Sequence, residues 1–341
     1  MENTAIALKD RFIALKAEKP KIRIREAAKQ LGASEAELVA TNENNIALKS
    51  EFENILKEIQ TLGYVMALTR NDYAVHERKG IYTKAGFNGH VGLVANPDID
   101  LRLFMNAWHF GFAVSEGERQ SLQFFDQDGE AVHKIYLTEF SDKDAYQSLV
   151  NKYRSDRQRD PLQIKPLDRS IVEKPDDSID VAGFQDAWRN MKDTHEFFAV
   201  LNKFGVKRNQ SMRLAPEGYA IESSWGSLRK LLEAVSERDL EIMVFIGNRG
   251  CIQIHTGKAK RLVQTGPWFN VLDPEFDMHL REDIIDNVWV VKKPTKEGIV
   301  TSIEVFDAKG ELVVQFFGKR KPGVPEREDW RQVVQDFMLN D

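Results

Sequence analysis

A single cysteine, Cys251, is the only thiol in this 341-residue chain. One thiol excludes an intramolecular disulfide, a thiolate metal cage and the paired-cysteine attachment of c-type haem. No run approaches 18 consecutive apolar residues, the length a membrane-spanning helix needs. The opening "MENTAIALKDRF" carries charges inside its apolar stretch and lacks a small-residue cleavage pattern, so a secretory signal is not expected there. Neither sign of charge dominates: 48 basic against 53 acidic residues leave −5, which argues against nucleic acid or an anionic membrane as the main partner. The expectation is a soluble, cytoplasmic protein. Among its 7 histidines no H-x-x-x-H or H-E-x-x-H spacing occurs, so a protein-only zinc or iron site is not indicated. The phosphate-binding G-x-x-x-x-G-K-[ST] and the G-x-S-x-G of α/β-hydrolases are missing too. "GFNGHVG" does not open a helix after a strand, as a dinucleotide loop must, and reads as a tight turn.

What the chain does have is aromatic mass and an internal repeat. Hydrophobic residues make up 42%, with 20 Phe and 6 Trp, enough to fill the two cores that the length suggests. "NPDIDLRLFMNAWHFGFAV" (96–114) lies over "DPEFDMHLREDIIDNVWVV" (273–291), and "SLQFFDQDGEAV" (121–132) lies over "SIEVFDAKGELV" (302–313). Two blocks in order at nearly one offset indicate a tandem duplication. In each half helical patterns come first, such as "FENILKEIQTLG" and "SSWGSLRKLLEAVSE", and short strands such as "SLQFFD" and "LVVQFFG" follow. "DQDG" and "DAKG" fit hairpin turns with Gly at the residue of positive φ. The expected class is α+β, each half carrying helices plus a large antiparallel β-sheet. Expected boundaries are an N-terminal repeat over 1–153, a Pro- and charge-rich linker over 154–178 with three prolines, and a C-terminal repeat over 179–341.

One histidine stands out. In "FQDAWRNMKDTHEFFAVLNKFG" (184–205), Phe184, Trp188, Met191, His195 and Phe198 follow at steps of four, three, four and three. On one continuous helix they would share a single, core-facing stripe. A hydrogen-bonded core histidine is the ordinary reading; a metal or cofactor partner is the sharper one. Cations among aromatics bear on the choice: Arg102 beside Phe104, Arg208 after the His195 segment, Lys293 in "VVKKPT", and Gln315, Phe317 and Arg320 in "VVQFFGKRKPG". Each alone could be a solvated charge. Together with a lone inward imidazole they match haem: aromatic walls for an apolar disc, cations for two propionates, one imidazole for iron.

At these residues the chain resembles the bacterial haemin-degrading, haem-utilisation proteins of the HemS/ChuS/PhuS family. The resemblance is carried by "RNDYAVHERKG", "NGHVGLVANPDIDLRLF", "GERQSLQFFDQDG", "WRNMKDTHEFF", "EIMVFIGNRGCIQIHTG" and "NVWVVKKPT", and runs over essentially the whole chain. It implies a duplicated α+β fold with a haem slot between the halves. It implies His195 as the axial iron ligand and Arg102 as a distal arginine, both catalytic. Phe104 becomes a distal wall, Arg208, Lys293 and Arg320 basic residues near the haem edge, and Gln315 and Phe317 pocket lining. In the repeat, His279 stands where Arg102 would recur, and the first 75 residues contain no histidine to match His195. One principal haem follows, with His76 a weaker candidate for a second site.

Two functions are open on this reading. As an enzyme, the protein receives imported haem b and opens its ring oxidatively with an external reductant, releasing iron, Arg102 donating hydrogen bonds to the oxygen ligand. As a carrier, it buffers haem from an inner-membrane ABC importer and hands it to a separate oxygenase. The distal arginine favours the enzyme. No flavin or nicotinamide motif names the electron donor.

Overall fold

The computed structural model describes residues 2–83, 85–321 and 323–339. The chain forms two compact units that are not consecutive blocks. The first comprises residues up to Arg70 with Glu77–Asp168 and Gly247–Gln253; the second comprises Asn71–His76, Arg169–Ile246 and the chain from Ile254 onward.

The first unit carries helices α1 (Glu2–Glu18), α2 (Ile24–Leu31), α3 (Glu35–Ala40), α4 (Phe52–Glu58) and α5 (Lys143–Tyr153). Its strands are β1 (Ile46–Ala47), β2 (Gly63–Arg70), the latter part of β3 (Ala74–Ile81), β4 (Gly86–Asn88), β5 (Val91–Ala95), β6 (Asp100–Phe104), β7 (Phe110–Glu116), β8 (Arg119–Phe125) and β9 (Ala131–Ser141). Antiparallel pairing runs β1-β7-β8-β9-β2, and β4, β5 and β6 pair antiparallel in that order. Alternation along these strands turns Leu101, Leu103, Leu122, Phe124 and Ile135 inward, where α4 and α5 add Phe52, Ile55, Leu149 and Tyr153. α3 starts where Ser34 and Glu37 form a reciprocal capping box, Ser34 Oγ accepting from Glu37 N–H at 3.2 Å and Glu37 Oε2 accepting from Ser34 N–H at 2.8 Å. Cys251, the lone thiol, is buried in this core, and burial pushes it up to about 12, so it stays a neutral thiol.

The second unit carries α6 (Val181–Arg189), α7 (Glu196–Phe204), α8 (Arg208–Arg213), α9 (Trp225–Glu237) and α10 (Glu328–Met338). Its strands are β10 (Ala220–Ser223), β11 (Ile242–Gly247), the latter part of β12 (Cys251–Gly257), β13 (Leu262–Thr265), β14 (Trp268–Leu272), β15 (Phe276–Arg281), β16 (Ile285–Thr295), β17 (Gly298–Asp307) and β18 (Leu312–Gly318). Pairing runs β10-β16-β17-β18-β11, and β13, β14 and β15 pair antiparallel in that order. One sheet face meets α9 and α10 through Leu228, Leu231, Val235, Trp330 and Val333; α6, α7 and α8 close on the other through Phe184, Trp188, Phe197 and Met212.

The duplication read from the sequence is visible element by element. β7-β8-β9-β2 recur as β16-β17-β18-β11, β4-β5-β6 as β13-β14-β15, and α5 as α10. The turns matched in the repeat hold Gly129 at φ +80° and Gly310 at φ +78°, which L side chains rarely adopt. Among the described residues no helix is long and apolar enough to cross a membrane.

Candidate functional site

His195 does not lie on the continuous buried stripe that its spacing suggests. α6 ends at Arg189 and α7 begins at Glu196, and a turn lies between them. Phe184, Trp188 and Met191 are buried as expected, but the His195 side chain is 83% exposed and Phe198 is 69% exposed. The break follows from side chains that compete with the helical backbone. The Asn190 amide donates to Asp186 O at 2.8 Å, and Asp193 Oδ1 accepts the His195 backbone N–H at 2.8 Å. His195 thus becomes the residue from which α7 starts, and Gly205 at φ +68° ends that helix.

The same Asp193 oxygen lies 2.6 Å from His195 Nδ1. With the ring proton on Nδ1, the Nε2 lone pair is left facing solvent, the arrangement of an imidazole ready to bind a metal. Asp193 is held below its usual range first by the His195 backbone N–H, with smaller help from the His195 ring and the Arg320 cation. Arg320 itself keeps a buried Nε with no hydrogen-bond partner.

Beneath α7 lies a buried charge cluster. Glu304, on β17, accepts from Arg208 Nε at 2.8 Å and Nη2 at 2.9 Å, from Lys293 Nζ at 2.5 Å and from Gln315 Nε2 at 3.1 Å. Burial opposes a carboxylate here, but Arg208 and Lys293 outweigh it and hold Glu304 ionised, well below the usual range. Burial, first, pulls Lys293 down to about 8, against the upward pull of Glu304. Both cations also face the Phe197 ring, Lys293 Nζ at 4.8 Å and Arg208 at 5.6 Å from its centroid. Phe197 in turn packs on Trp188 at 4.5 Å, so the cluster fixes the turn of helix that begins at His195. Arg208 and Lys293 therefore direct their hydrogen bonds to Glu304, Lys293 also donating to Ser302 Oγ at 3.3 Å. The sequence reading missed Glu304; its signal was a carboxylate inside the apolar strand "SIEVFD".

On the same sheet face Gln315 stands opposite Phe245, and Phe317 opposite Met243; the Phe245 and Phe317 rings lie 5.0 Å apart. All four are half-buried, a flat and mostly apolar surface. Met243 and Phe245 were not singled out in the sequence, although "EIMVFIG" alternates as a half-covered strand would.

In the first unit Arg102 and Phe104 lie on β6, where Leu93 and Val91 of β5 stand directly opposite them. Val91 is 52% and Leu93 44% exposed, so Arg102 rises from an open apolar face. Its guanidinium pairs with Asp100, whose carboxyl burial pushes up against the pull of Arg102. The counterpart ladder is different: His279 bonds Asn270 at 2.7 Å and Arg281 covers the Trp268 ring at 5.7 Å. His76 is fully buried with its ring 5.0 Å from Phe276, so a haem could reach it only if the core opened.

The residues fit an iron-bearing flat ligand in donor type: one outward-facing imidazole, exposed or half-exposed aromatics, and nearby cations. The profile described as the haemin-degrading HemS.ChuX domain matches residues 32–153 and 205–337. The hemin transport protein HmuS of Yersinia pestis is 38% identical over 342 residues, covering 98% of each chain. The structure of holo-PhuS, a heme-binding protein from Pseudomonas aeruginosa, superposes with a TM-score of 0.95 at 45% identity, covering 98% of this chain and 99% of that one. The heme degrading enzyme ChuS of Escherichia coli O157:H7 gives 0.91 at 35% identity over 98% and 99%.

Proposed function

The chain belongs to the haemin-degrading HemS family, and from that premise we propose that it binds imported haem b through His195 and opens the porphyrin ring oxidatively, releasing iron. The observation that carries the reading is the His195 imidazole, exposed, with Nδ1 tied to Asp193 and Nε2 facing outward. Haem is here the substrate, and an external reductant with dioxygen or peroxide supplies the electrons and oxygen. Phe198, Phe245 and Phe317 offer apolar contact to the ring. Arg320 offers charge to the propionates, while Arg208 and Lys293 lend a positive field through the Glu304 cluster. Arg102 and Phe104, on the first unit's open apolar face, are assigned to haem by the family resemblance, Arg102 as donor to the oxygen ligand. On this reading the chain works in the cytoplasm, downstream of an inner-membrane importer.

The exposure of His195 favours a second reading, in which haem is bound at an open edge and passed to a separate oxygenase. One experiment separates them. Haemin-loaded protein is given ascorbate, with and without catalase, and followed by absorbance. Soret decay with a linear tetrapyrrole product, beyond a protein-free haem control, is the outcome for the enzyme. No product beyond that control leaves the carrier.

A further inference from the structure

Two histidine rings in this chain, His133 and His195, are held in opposite ways. His133, deep in the first unit, shares its nitrogens with neutral hydroxyls: Nδ1 with Thr69 at 2.8 Å and Nε2 with Tyr82 at 2.6 Å. Burial pushes it down to about 3, so it is a neutral ring with both nitrogens occupied and no lone pair to offer. His195 has the opposite arrangement. One nitrogen meets a carboxylate and the other is open.

The carboxylate is itself tightly placed. Asp193 Oδ1 takes both the backbone N–H and the ring nitrogen of His195, at 2.8 and 2.6 Å. The turn around it is anchored: Glu196 N–H donates to Asp193 O at 3.1 Å, Lys192 N–H donates to Glu196 Oε2 at 3.1 Å, and Lys296 N–H donates to Lys192 O at 3.1 Å. A loop that needed only an Asx turn would be satisfied by the backbone bond. The second bond to the ring sets the tautomer, aims Nε2 and makes the imidazole a stronger donor, because a full negative charge accepts its proton.

We infer, resting on the reading that His195 ligates haem iron, that Asp193 is the positioning residue that gives this imidazole partial imidazolate character and so favours ferric over ferrous haem. An outer partner of a metal-bound histidine typically changes metal affinity about 10- to 100-fold. Applied to one oxidation state, a tenfold change moves a one-electron couple by about 59 mV.

The test uses the full chain loaded with haemin, as wild type, Asp193→Asn, Asp193→Ala and His195→Ala, in spectroelectrochemical titrations. Asparagine keeps an oxygen for the His195 backbone N–H and the ring, so the turn survives while the charge is lost. The expected result is a haem midpoint potential raised by about 59 mV or more in Asp193→Asn, and at least as far in Asp193→Ala, with the imidazole-ligated spectrum retained in Asp193→Asn. A wild-type potential in Asp193→Asn, with a spectrum that His195→Ala still abolishes, overturns the role of Asp193 and leaves the ligand standing. A spectrum that His195→Ala leaves unchanged overturns the ligand and, with it, this inference.

Discussion

The two units place a buried ion pair at the same point of the fold and give it opposite polarity. In the first, the helix supplies the acid: Glu35, opening α3, pairs with Lys134 on β9, and Gln123 stands opposite Lys134 on β8. In the second, the helix supplies the base: Arg208, opening α8, pairs with Glu304 on β17, and Gln315 stands opposite Glu304 on β18. Gln123 and Lys134 align with Glu304 and Gln315 in the repeat, so the amide and the charge have changed strands. The site requires that each buried charge has a partner, since an unpaired one costs far more than the pair gains. It does not dictate the sign. The second unit then adds Lys293, and two hydrogen-bonded cations on one carboxylate leave positive charge under the helix that begins at His195. An anion-bearing ligand would be drawn to that unit.

Removing the acids should have the largest effect. Glu304→Ala strands Arg208 and Lys293 together and should cost about 3–5 kcal/mol in urea unfolding followed by circular dichroism. Glu35→Ala, stranding Lys134 alone, should fall at the low end of that range. Exchanging the charges, Glu35→Lys with Lys134→Glu, should recover most of the loss of either single change. A cost for Glu304→Ala within about 0.5 kcal/mol, like an ordinary surface change, would show that the cluster is not tightly held.

Next in size is the arginine of the first unit. If Arg102 donates to developing charge on the oxygen ligand, Arg102→Ala should slow reductant-driven Soret decay roughly 100- to 1000-fold with haem still bound. Weaker binding with an unchanged decay rate would make it a propionate partner only.

The pH dependence of Lys293 gives a smaller effect of defined sign. Its pKa is about 8 folded against 10.5 unfolded, so between these values the unfolded chain holds the extra proton and stability rises with pH. The unfolding free energy of wild type relative to Lys293→Met should therefore grow from pH 8 to 10.5, by at most about 1.4 kcal/mol per pH unit. Urea midpoints at both ends of the interval check the sign; a decline would mean that Lys293 is raised rather than lowered by its surroundings. Smallest is Phe198→Ser. Melting of the apo protein should be unchanged, since exposed changes stay within about 0.5 kcal/mol, while haemin affinity in a fluorescence-quenching titration drops several-fold.

Much of the fold was legible because local and global signals agree in it. Ser224 accepts the Ser227 N–H ahead of α9, and the apolar alternation of "SLQFFD" and "SIEVFD" sits on paired strands. The repeat foretold which strands and turns correspond. The His195 region was misread in one respect. Helical spacing alone made one stripe of residues 184–198, but Asn190 and Asp193 bond the backbone locally and break it, so the imidazole faces out. Periodicity cannot register that competition; the Asp two residues ahead of His195 was the available sign. Long-range pairing was illegible as well: Glu304 gathers Arg208, Lys293 and Gln315 from three separate elements, and only the folded sheet brings them together.

Whether His195 holds the haem iron through Nε2 is decided by haemin titration of His195→Ala. Removing an exposed side chain should leave apo circular dichroism and melting as in wild type. With the ligand lost, this variant should show a shifted Soret band and weaker binding, with the wild-type band regained on adding free imidazole. A folded His195→Ala protein that binds haemin with the wild-type spectrum and affinity would contradict ligation by His195.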